Sequence, residues 1–486
     1  MEAKFFIKTN RIFTPLRNWS WVFILLVAFA GLWYPKLGLL MIPVMIALPI
    51  FGFKKGKFWC GNICPHGSLF DRFILQVSAN KRIPSWAISK ITIGLALFWF
   101  MYMLGNRLVK VSELWGSTPF LDKLGFIFVM NYLVVTIVGT ILAVFISPRT
   151  WCRFCPMGSV QILLYKLGTL LGMNKASDEK VTIASTEACH KCAKCSRVCP
   201  VQLTPYLEVS ENNQLNNAAC IRCGTCVVNC PAKILSLNSE EEAINISKTI
   251  SLDGYRNRKE ILATISDINY LDNNVREYIF ELRAKLDFKP GQFILVKIQD
   301  NPEMYRAYSV SDYDENSKKV RITIKQAPNG YGTGIIFNSF KKGDSVQISG
   351  PMGNELVVDK DADKVVFVAG GIGITPFVPL VREMIEKRSN IKDVKLIYGV
   401  NKEDEFLYDE FFKEIENKND NFEYIKVVAM DEQWQGRKGF VTDVLKEMQF
   451  EDYKIYLCGP LPMTNATLTV LSQLGVNNQD INYESA

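Results

Sequence analysis

The spacing of eight cysteines between residues 189 and 231 constrains this chain more than any other feature. Cys189-x-x-Cys192-x-x-Cys195-x-x-x-Cys199-Pro200 is followed by Cys220-x-x-Cys223-x-x-Cys226-x-x-x-Cys230-Pro231. A [4Fe-4S] cube needs four thiolates converging from four corners. A three-residue spacing lets one tight loop supply three of them, and the fourth comes from the other repeat. On this reading Cys189, Cys192, Cys195 and Cys230 hold one cluster, and Cys220, Cys223, Cys226 and Cys199 hold a second. Pro200 and Pro231 prevent a helix from continuing and turn the chain away from the cubes. A zinc site or disulfides are the alternatives, and two runs of four cysteines in register argue against both.

The doubled pattern resembles that of bacterial ferredoxins. The rest of the cysteine usage agrees: of thirteen cysteines in 486 residues, twelve fall in motif pairs or quartets, and only Cys458 stands apart. That is metal-ligand usage, which belongs in a reducing compartment. The formal charge is +7, but no long Lys/Arg run appears. Nucleic-acid binding therefore has no support. The length allows about three or four domains. Four are expected: a transmembrane domain over 1–175, a ferredoxin domain over 176–243, a flavin-binding domain over 244–360 and a nucleotide-binding domain over 361–486.

The first of these is apolar. Runs at 19–34, 37–53, 86–104 and 125–147 are separated by charged or proline-containing breaks. A bilayer core of about 30 Å asks for about 20 apolar residues per helix. The fourth run meets this, while the first two are short enough for a re-entrant pair. Buried core helices are the alternative, but four such runs in one stretch favour a multi-pass membrane domain. No cleavage site follows the first run, which reads as an anchor. The N-terminal tail and segment 54–85 are rich in Lys and Arg. The positive-inside rule then places both termini and the soluble domains in the cytoplasm, with Trp33, Tyr34 and Trp115 near the outer interface of the cytoplasmic membrane.

An internal repeat lies at the ends of two of these runs. Phe58-Trp59-Cys60-Gly-Asn-Ile-Cys64-Pro65-His66-Gly67-Ser68 matches Thr150-Trp151-Cys152-Arg-Phe-Cys155-Pro156-Met157-Gly158-Ser159. Cys60, Cys64, Cys152 and Cys155, brought together by two similar hairpins, suit a third iron–sulfur cluster at the membrane surface. Buried or redox-active thiols are the alternative. The motifs resemble those of NapH/NosR-type membrane ferredoxins, which carry Cys-x-x-x-Cys-Pro after transmembrane helices. The second motif departs from that pattern by being one residue short.

Segment 244–360 alternates apolar and polar residues between turn residues, as in 291–298 and 320–324, and reads as an antiparallel barrel. It contains Arg306-Ala-Tyr308-Ser309-Val-Ser311 and, further on, Gly330-Tyr331-Gly332-Thr333-Gly334. The first resembles the Arg-x-Tyr-Ser-x-Ser signature of the ferredoxin–NADP reductase superfamily. That resemblance implies that Arg306 grips a flavin phosphate, that Tyr308 and Ser309 meet the isoalloxazine, and that Ser311 completes the motif. Gly332 and Thr333 open a helix whose amides suit a pyrophosphate, which argues for FAD.

From 361 the pattern is strand–helix–strand. Strand 364–369 runs into Gly370-Gly371-Ile-Gly373-Ile-Thr375-Pro376, a turn that lets backbone approach a dinucleotide phosphate. Cys458-Gly459-Pro460-Leu-Pro-Met463 resembles the superfamily's Cys-Gly-Pro-x-x-Met motif, whose cysteine lies against the nicotinamide. A buried strand-end thiol is the alternative. Acidic residues at 403–405, with no Arg, lean toward NADH over NADPH. Tyr483, near the C-terminus, reads as a surface residue, with a place over the flavin as the alternative, and His190 as a solvated loop residue, with tuning of a cluster's potential as the alternative.

A membrane domain joined to such a module also resembles the ferric reductase and NADPH oxidase families, which hold transmembrane haems on paired histidines. The chain has only His66 and His190, and neither lies in an apolar run. A haem pair is unsupported. The expectation is a membrane-bound NAD(P)H dehydrogenase that passes electrons through FAD and iron–sulfur clusters to a quinone or a membrane or extracytoplasmic redox partner. Tyr308, Ser309 and Cys458 stand at its hydride step. Reverse flow to NAD+, and an accessory or redox-sensing role beside a metalloenzyme, are the other two readings.

Overall fold

The computed structural model describes residues 4–314 and 318–484. They form two compact units. Lys4–Cys189 with Ala193–Ile250 is one, and the remainder, from residue 251 onward together with His190–Cys192, is the other.

The first unit opens with helices. Four are long and apolar enough to cross a membrane: Pro15–Leu32, Pro35–Lys55, Lys90–Ser112 and Phe120–Phe145. They coincide with the four apolar runs. The first pair is irregular. Pro15–Leu32 breaks into α, π and 3-10 pieces, and Pro35–Leu40 is a 3-10 turn before the α-helix Met41–Lys55. Close packing explains part of this. A Cβ at Gly38 would lie 2.0 Å from the Gly125 carbonyl oxygen, so only hydrogen at residue 38 lets this turn meet the fourth helix. Large apolar side chains along these helices, among them Ile91, Phe98 and Phe145, are exposed.

After the helices comes a small domain with a two-stranded antiparallel sheet, β1 (Lys180–Ile183) on β2 (Leu235–Asn238). The two cysteine loops between these strands repeat each other residue by residue. Left-handed backbone occurs at Lys191, Ala193 and Gln202 and at the equivalent Arg222, Gly224 and Lys233. Each loop then winds a single helical turn, Lys194–Arg197 or Thr225–Val228.

In the second unit, β3 (Lys259–Asp272), β4 (Val275–Leu282), β5 (Phe293–Asp300), β6 (Glu303–Asp314), β7 (Lys319–Lys325) and β8 (Ser345–Met352) close into a six-stranded antiparallel barrel in the order β3-β4-β7-β6-β5-β8. The helix Tyr331–Ser339 lies between β7 and β8 in sequence. A six-stranded parallel sheet follows: β9 (Lys364–Gly370), β10 (Asp393–Val400), β11 (Phe422–Val428), β12 (Arg437–Lys438), β13 (Lys454–Cys458) and β14 (Ile481–Tyr483), ordered β12-β11-β10-β9-β13-β14. β9 is buried on both faces. Val365, Phe367 and Ala369 enter one apolar core, while Val366 and Val368 enter the other. That is why its sequence is a continuous apolar run with no alternation. Arg382 pairs with Asp312 (2.6 Å), and the Tyr408 hydroxyl hydrogen-bonds Thr323, so barrel and sheet are tied together.

Candidate functional site

The structure brings the four membrane-motif cysteines to one place. Cys60, Cys64, Cys152 and Cys155 line a single cavity whose other walls include Phe23, Met41, Leu48 and Tyr132. The two motifs are built alike. Phe58–Asn62 and Thr150–Phe154 are each a five-residue helix with the first cysteine third in line. Each then leaves the helix at a cysteine with nearly the same backbone, φ −54°, ψ 122° at Cys64 and φ −57°, ψ 125° at Cys155. A proline opens the next helix in both cases, the position where its missing N–H costs nothing. The backbone amides of Gly67 and Gly158 then hydrogen-bond the thiols of Cys64 and Cys155. The one-residue shortfall of the second motif is absorbed at Ile63, which sits outside the helix at φ −125°. It leaves the backbone conformation of the second cysteine unchanged between the motifs.

The donor set suits an iron–sulfur core. Burial pushes the Cys64 thiol up to about 12 and the Cys155 thiol up to about 11, with neighbouring cysteines adding to the shift. Thiols in such a setting ionise only when a cation shares the cavity. The Gln161 amide donates to Cys60 Sγ at 3.2 Å, and Arg149 Nη1 lies 3.6 Å from Cys152 Sγ. Arg149 also donates to Cys60 O (3.1 Å) and Gly67 O (3.1 Å), and Lys57 Nζ donates to Cys152 O (3.1 Å). Among the described residues, no three His, Cys, Asp or Glu side chains converge closely enough to hold a single metal ion. His66 is buried against the Tyr132 ring with Nε2 2.8 Å from Thr136 Oγ1, and burial lowers it to about 4, so it stays neutral.

Behind this cavity Asp71 is fully buried and receives three guanidiniums, Arg149 (2.7 Å), Arg17 and Arg11 (3.5 Å). Burial alone would raise its carboxyl, and the three arginines outweigh that and hold it well below the usual range. Sequence reasoning did not find this cluster.

In the ferredoxin domain Cys199, Cys220, Cys223 and Cys226 line one cavity. This is the set expected for the second cluster, including the crossed fourth ligand. Burial pushes Cys199 up to about 12. Cys189, Cys192 and Cys195 take the first three cysteine positions of the first loop, and Cys230 takes the last of the second. This domain meets the membrane motif directly: a Cβ at Gly61 would lie 1.9 Å from the Ile221 carbonyl oxygen and 3.3 Å from Cys223 N. Asn62 Nδ2 donates to Arg222 O at 3.2 Å.

In the second unit Arg306, Gly332 and the start of helix Tyr331–Ser339 lie together. A Cβ at Gly332 would meet Arg306 Nε at 2.5 Å. Thr333 Oγ1 accepts from Ala327 N (3.2 Å), bracing the turn. A guanidinium beside a helix start suits an anionic phosphate. Arg306 Nη1 itself donates to Tyr305 O and Cys192 O. Tyr308 is half-buried, and burial raises its hydroxyl. Ser311 is fully buried with its hydroxyl 3.5 Å from Thr323 Oγ1, apart from the group formed by Ser309.

That group contains a residue the sequence did not single out. Ser309 hydrogen-bonds Glu484, whose carboxyl is pushed up to about 8 by burial and by Glu355. Glu484 in turn bears on Cys458, whose thiol is raised mainly by burial. The strand β14 delivers it: Tyr483 pairs with Leu457 and packs half-buried against the sheet core. No motif around Ile481 gave a signal of this. His190 also departs from expectation. Its ring packs edge-on to Phe293 at 5.2 Å and its Nε2 is buried.

The glycine turn sits at the ends of β9 and β13. Cys458 is level with Ala369 across the parallel pair. A Cβ at Gly373 would lie 2.3 Å from Cys458 O, and one at Gly370 would lie 2.3 Å from Met463 Sδ. Gly370, Gly371, Gly373, Cys458, Gly459, Pro460 and Met463 are thus one crevice at the carboxyl ends of the strands, where open α/β sheets take ligands. Thr375 and Pro376 turn the chain into the helix beginning at Phe377, with Thr375 Oγ1 donating to Ile372 O (3.1 Å).

Comparison with known proteins agrees with this layout. Residues 262–355 match the oxidoreductase FAD-binding domain family, and 367–469 match the oxidoreductase NAD-binding domain family. Residues 182–247 match a 4Fe-4S dicluster domain. A 4Fe-4S binding domain matches twice, over 37–82 and 129–174, one copy for each membrane motif. Among curated proteins, the chain is 30% identical over 226 residues to the reductase component DmpP of phenol 2-monooxygenase from Pseudomonas sp. (strain CF600), covering 45% of this chain and 64% of that protein. It is 28% identical over 241 residues to one component of the Na(+)-translocating NADH-quinone reductase from Marinomonas sp. (strain MWYL1), covering 46% of this chain and 57% of that component. The chain thus spans less than two thirds of the length of either relative. The crystal structure of the Amycolatopsis cytochrome P450 reductase GcoB aligns at 22% identity and a TM-score of 0.44, over 47% of this chain and 70% of that one. The chain carries the FAD- and NAD-binding domains of an oxidoreductase joined to 4Fe-4S ferredoxin domains.

Proposed function

We propose that this protein is a membrane-bound NAD(P)H dehydrogenase that sends electrons from the nicotinamide through FAD and three iron–sulfur clusters to a quinone or a redox partner in or beyond the membrane. The packing of Gly61 against Ile221 is the observation that carries this reading. It sets the membrane cysteine cavity directly against the loop of the second ferredoxin cluster, the adjacency a one-electron relay requires. The Marinomonas relative, named for an NADH-quinone reductase, supports quinone as acceptor.

The residues divide the work. Arg306 with the amides of Gly332 and Thr333 would hold the FAD phosphates, and Tyr308 and Ser309 would line the flavin, with Ser311 bracing the same strand through Thr323. Gly370, Gly371, Gly373, Thr375 and Pro376 would bring backbone to the dinucleotide phosphate. Cys458, Gly459, Pro460 and Met463 would seat the nicotinamide. When bound, FAD supplies hydride acceptance and single-electron release, which clusters need. Glu484, buried and protonated at neutral pH, keeps a negative charge away from the hydride path. Cys60, Cys64, Cys152 and Cys155 would hold the third cluster in a NapH/NosR-type membrane domain. The four apolar helices would span the cytoplasmic membrane with the soluble domains on its cytoplasmic side, as the basic residues of the tail and segment 54–85 favour.

Membranes containing the protein should oxidise NADH with a quinone or a viologen as acceptor. NADH-dependent viologen reduction without quinone reduction points to a protein partner. Bound FAD with no NADH oxidation would overturn the proposal in favour of an accessory role.

A further inference from the structure

The membrane cysteine cavity is surrounded by more positive charge than a neutral core would carry. Arg149, Arg11, Arg17 and Lys57 are each 2% exposed or less. The buried carboxylate among them is Asp71, shared by all three arginines. Lys57 has its ammonium on Cys152 O and no carboxylate within ion-pair distance among the described contacts. Four buried cations therefore face one carboxylate, a surplus of three. Two of the four touch the ligand-bearing residues themselves: Arg149 reaches Cys60 O and Cys152 Sγ, and Lys57 reaches Cys152 O. The Gln161 amide adds a hydrogen bond to Cys60 Sγ.

The cavity of Cys199, Cys220, Cys223 and Cys226 is different. Its buried guanidinium, Arg222, is matched in full by Asp178 through two bonds of 2.5 and 2.8 Å. The other cation bearing on Cys199, Arg153, is accompanied by Glu208. Charge there is balanced.

Net charge, hydrogen bonds to sulfur and exposure set the potential of an iron–sulfur cluster. A cluster gains one negative charge on reduction, and a fixed cation stabilises that charge strongly where the dielectric is low. Burial disfavours the added charge at both cavities, since the thiols of both are buried or half-buried. The cation surplus is present at only one. We infer that Lys57 and Arg149 make the membrane cluster the higher-potential member of the pair, so that electrons run from the nicotinamide end toward the membrane. In this step one electron leaves the cluster on Cys220, Cys223, Cys226 and Cys199 and enters the cluster on Cys60, Cys64, Cys152 and Cys155. No bond breaks, and fixed cations rather than a proton answer the new charge. Lys57, Arg149 and Gln161 act through the ligands and are positioning residues in this sense.

The inference rests on the proposed third cluster, and one experiment separates the two. The full chain, purified anaerobically in detergent, is titrated potentiometrically with EPR detection, and the membrane signal is identified by its loss in Cys155→Ser. The wild-type membrane cluster should reduce at least tenfold more favourably than the ferredoxin clusters, 59 mV for a one-electron couple. Lys57→Met should move it about tenfold, 59 mV, downward and leave the ferredoxin signals in place, and Lys57→Arg should restore it. Gln161→Leu, which removes a neutral donor, should shift it the same way by less, and it serves if Lys57→Met fails to assemble. A membrane cluster below the ferredoxin pair, or one unmoved by either substitution with its iron intact, would overturn the inference. An iron count lacking the third cluster would instead sink the proposal beneath it.

Discussion

Replacing Asp71 with Asn keeps the side chain's shape and removes its charge. In the folded protein this leaves Arg149, Arg17 and Arg11 buried together with no anion among them. Removing one partner of a buried ion pair typically costs about 3–5 kcal/mol, because a charge stays buried without compensation. With Arg149 and Asp71 both at 0% side-chain exposure, solvent offers little relief. At about 2–4 °C per kcal/mol for a unit of this size, the transition should fall by about 6–20 °C. The assay is thermal unfolding of the detergent-solubilised protein, followed by loss of iron–sulfur absorbance and, separately, by flavin release. The first should move and the second should stay. The pH response follows from the same group. The folded carboxyl lies below its unfolded value of about 3.9, so its contribution is complete above that pH and is lost as pH falls further. Asp71→Asn should therefore flatten the acid limb of stability below about pH 4. An iron–sulfur transition at the wild-type temperature, or an unchanged acid limb, would refute the reasoning.

Two further substitutions test other parts of the account. Gly61→Ala drives a Cβ into the Ile221 carbonyl, which as backbone yields only by moving the loop, at about 1–3 kcal/mol; freeze-quench EPR should show the ferredoxin clusters still reduced by NADH and the membrane cluster slowed. Glu484, raised to about 8, is protonated at neutral pH, and ionising it costs stability as pH rises from its ordinary range through 8; NADH oxidation should fall along a limb near pH 8, and Glu484→Gln should abolish that limb in the pH–rate profile.

Much of this architecture is legible in the sequence because its signals are local. The cysteine spacings, the Cys–Pro pairs and the glycine turn each fix a backbone shape within a dozen residues. The barrel and the parallel sheet follow from alternation in one and continuous apolar strands in the other. What the sequence hides is what depends on distant partners. Asp71 meets arginines 54 to 78 residues away, and nothing local marks it. Glu484 gains its place only when Ile481–Tyr483 adds a last strand beside β13. The missing residue in the second membrane motif reads as a defect until Ile63 is seen outside its helix, with Cys64 and Cys155 in matching conformations.

The central claim is that cysteines at the membrane motifs extend the ferredoxin relay, and metal and flavin analysis of anaerobically purified protein tests it most directly. The account predicts about twelve irons and about one FAD per chain, all clusters reduced by NADH. About eight irons, with Cys60, Cys64, Cys152 and Cys155 open to alkylation as free thiols, would contradict it.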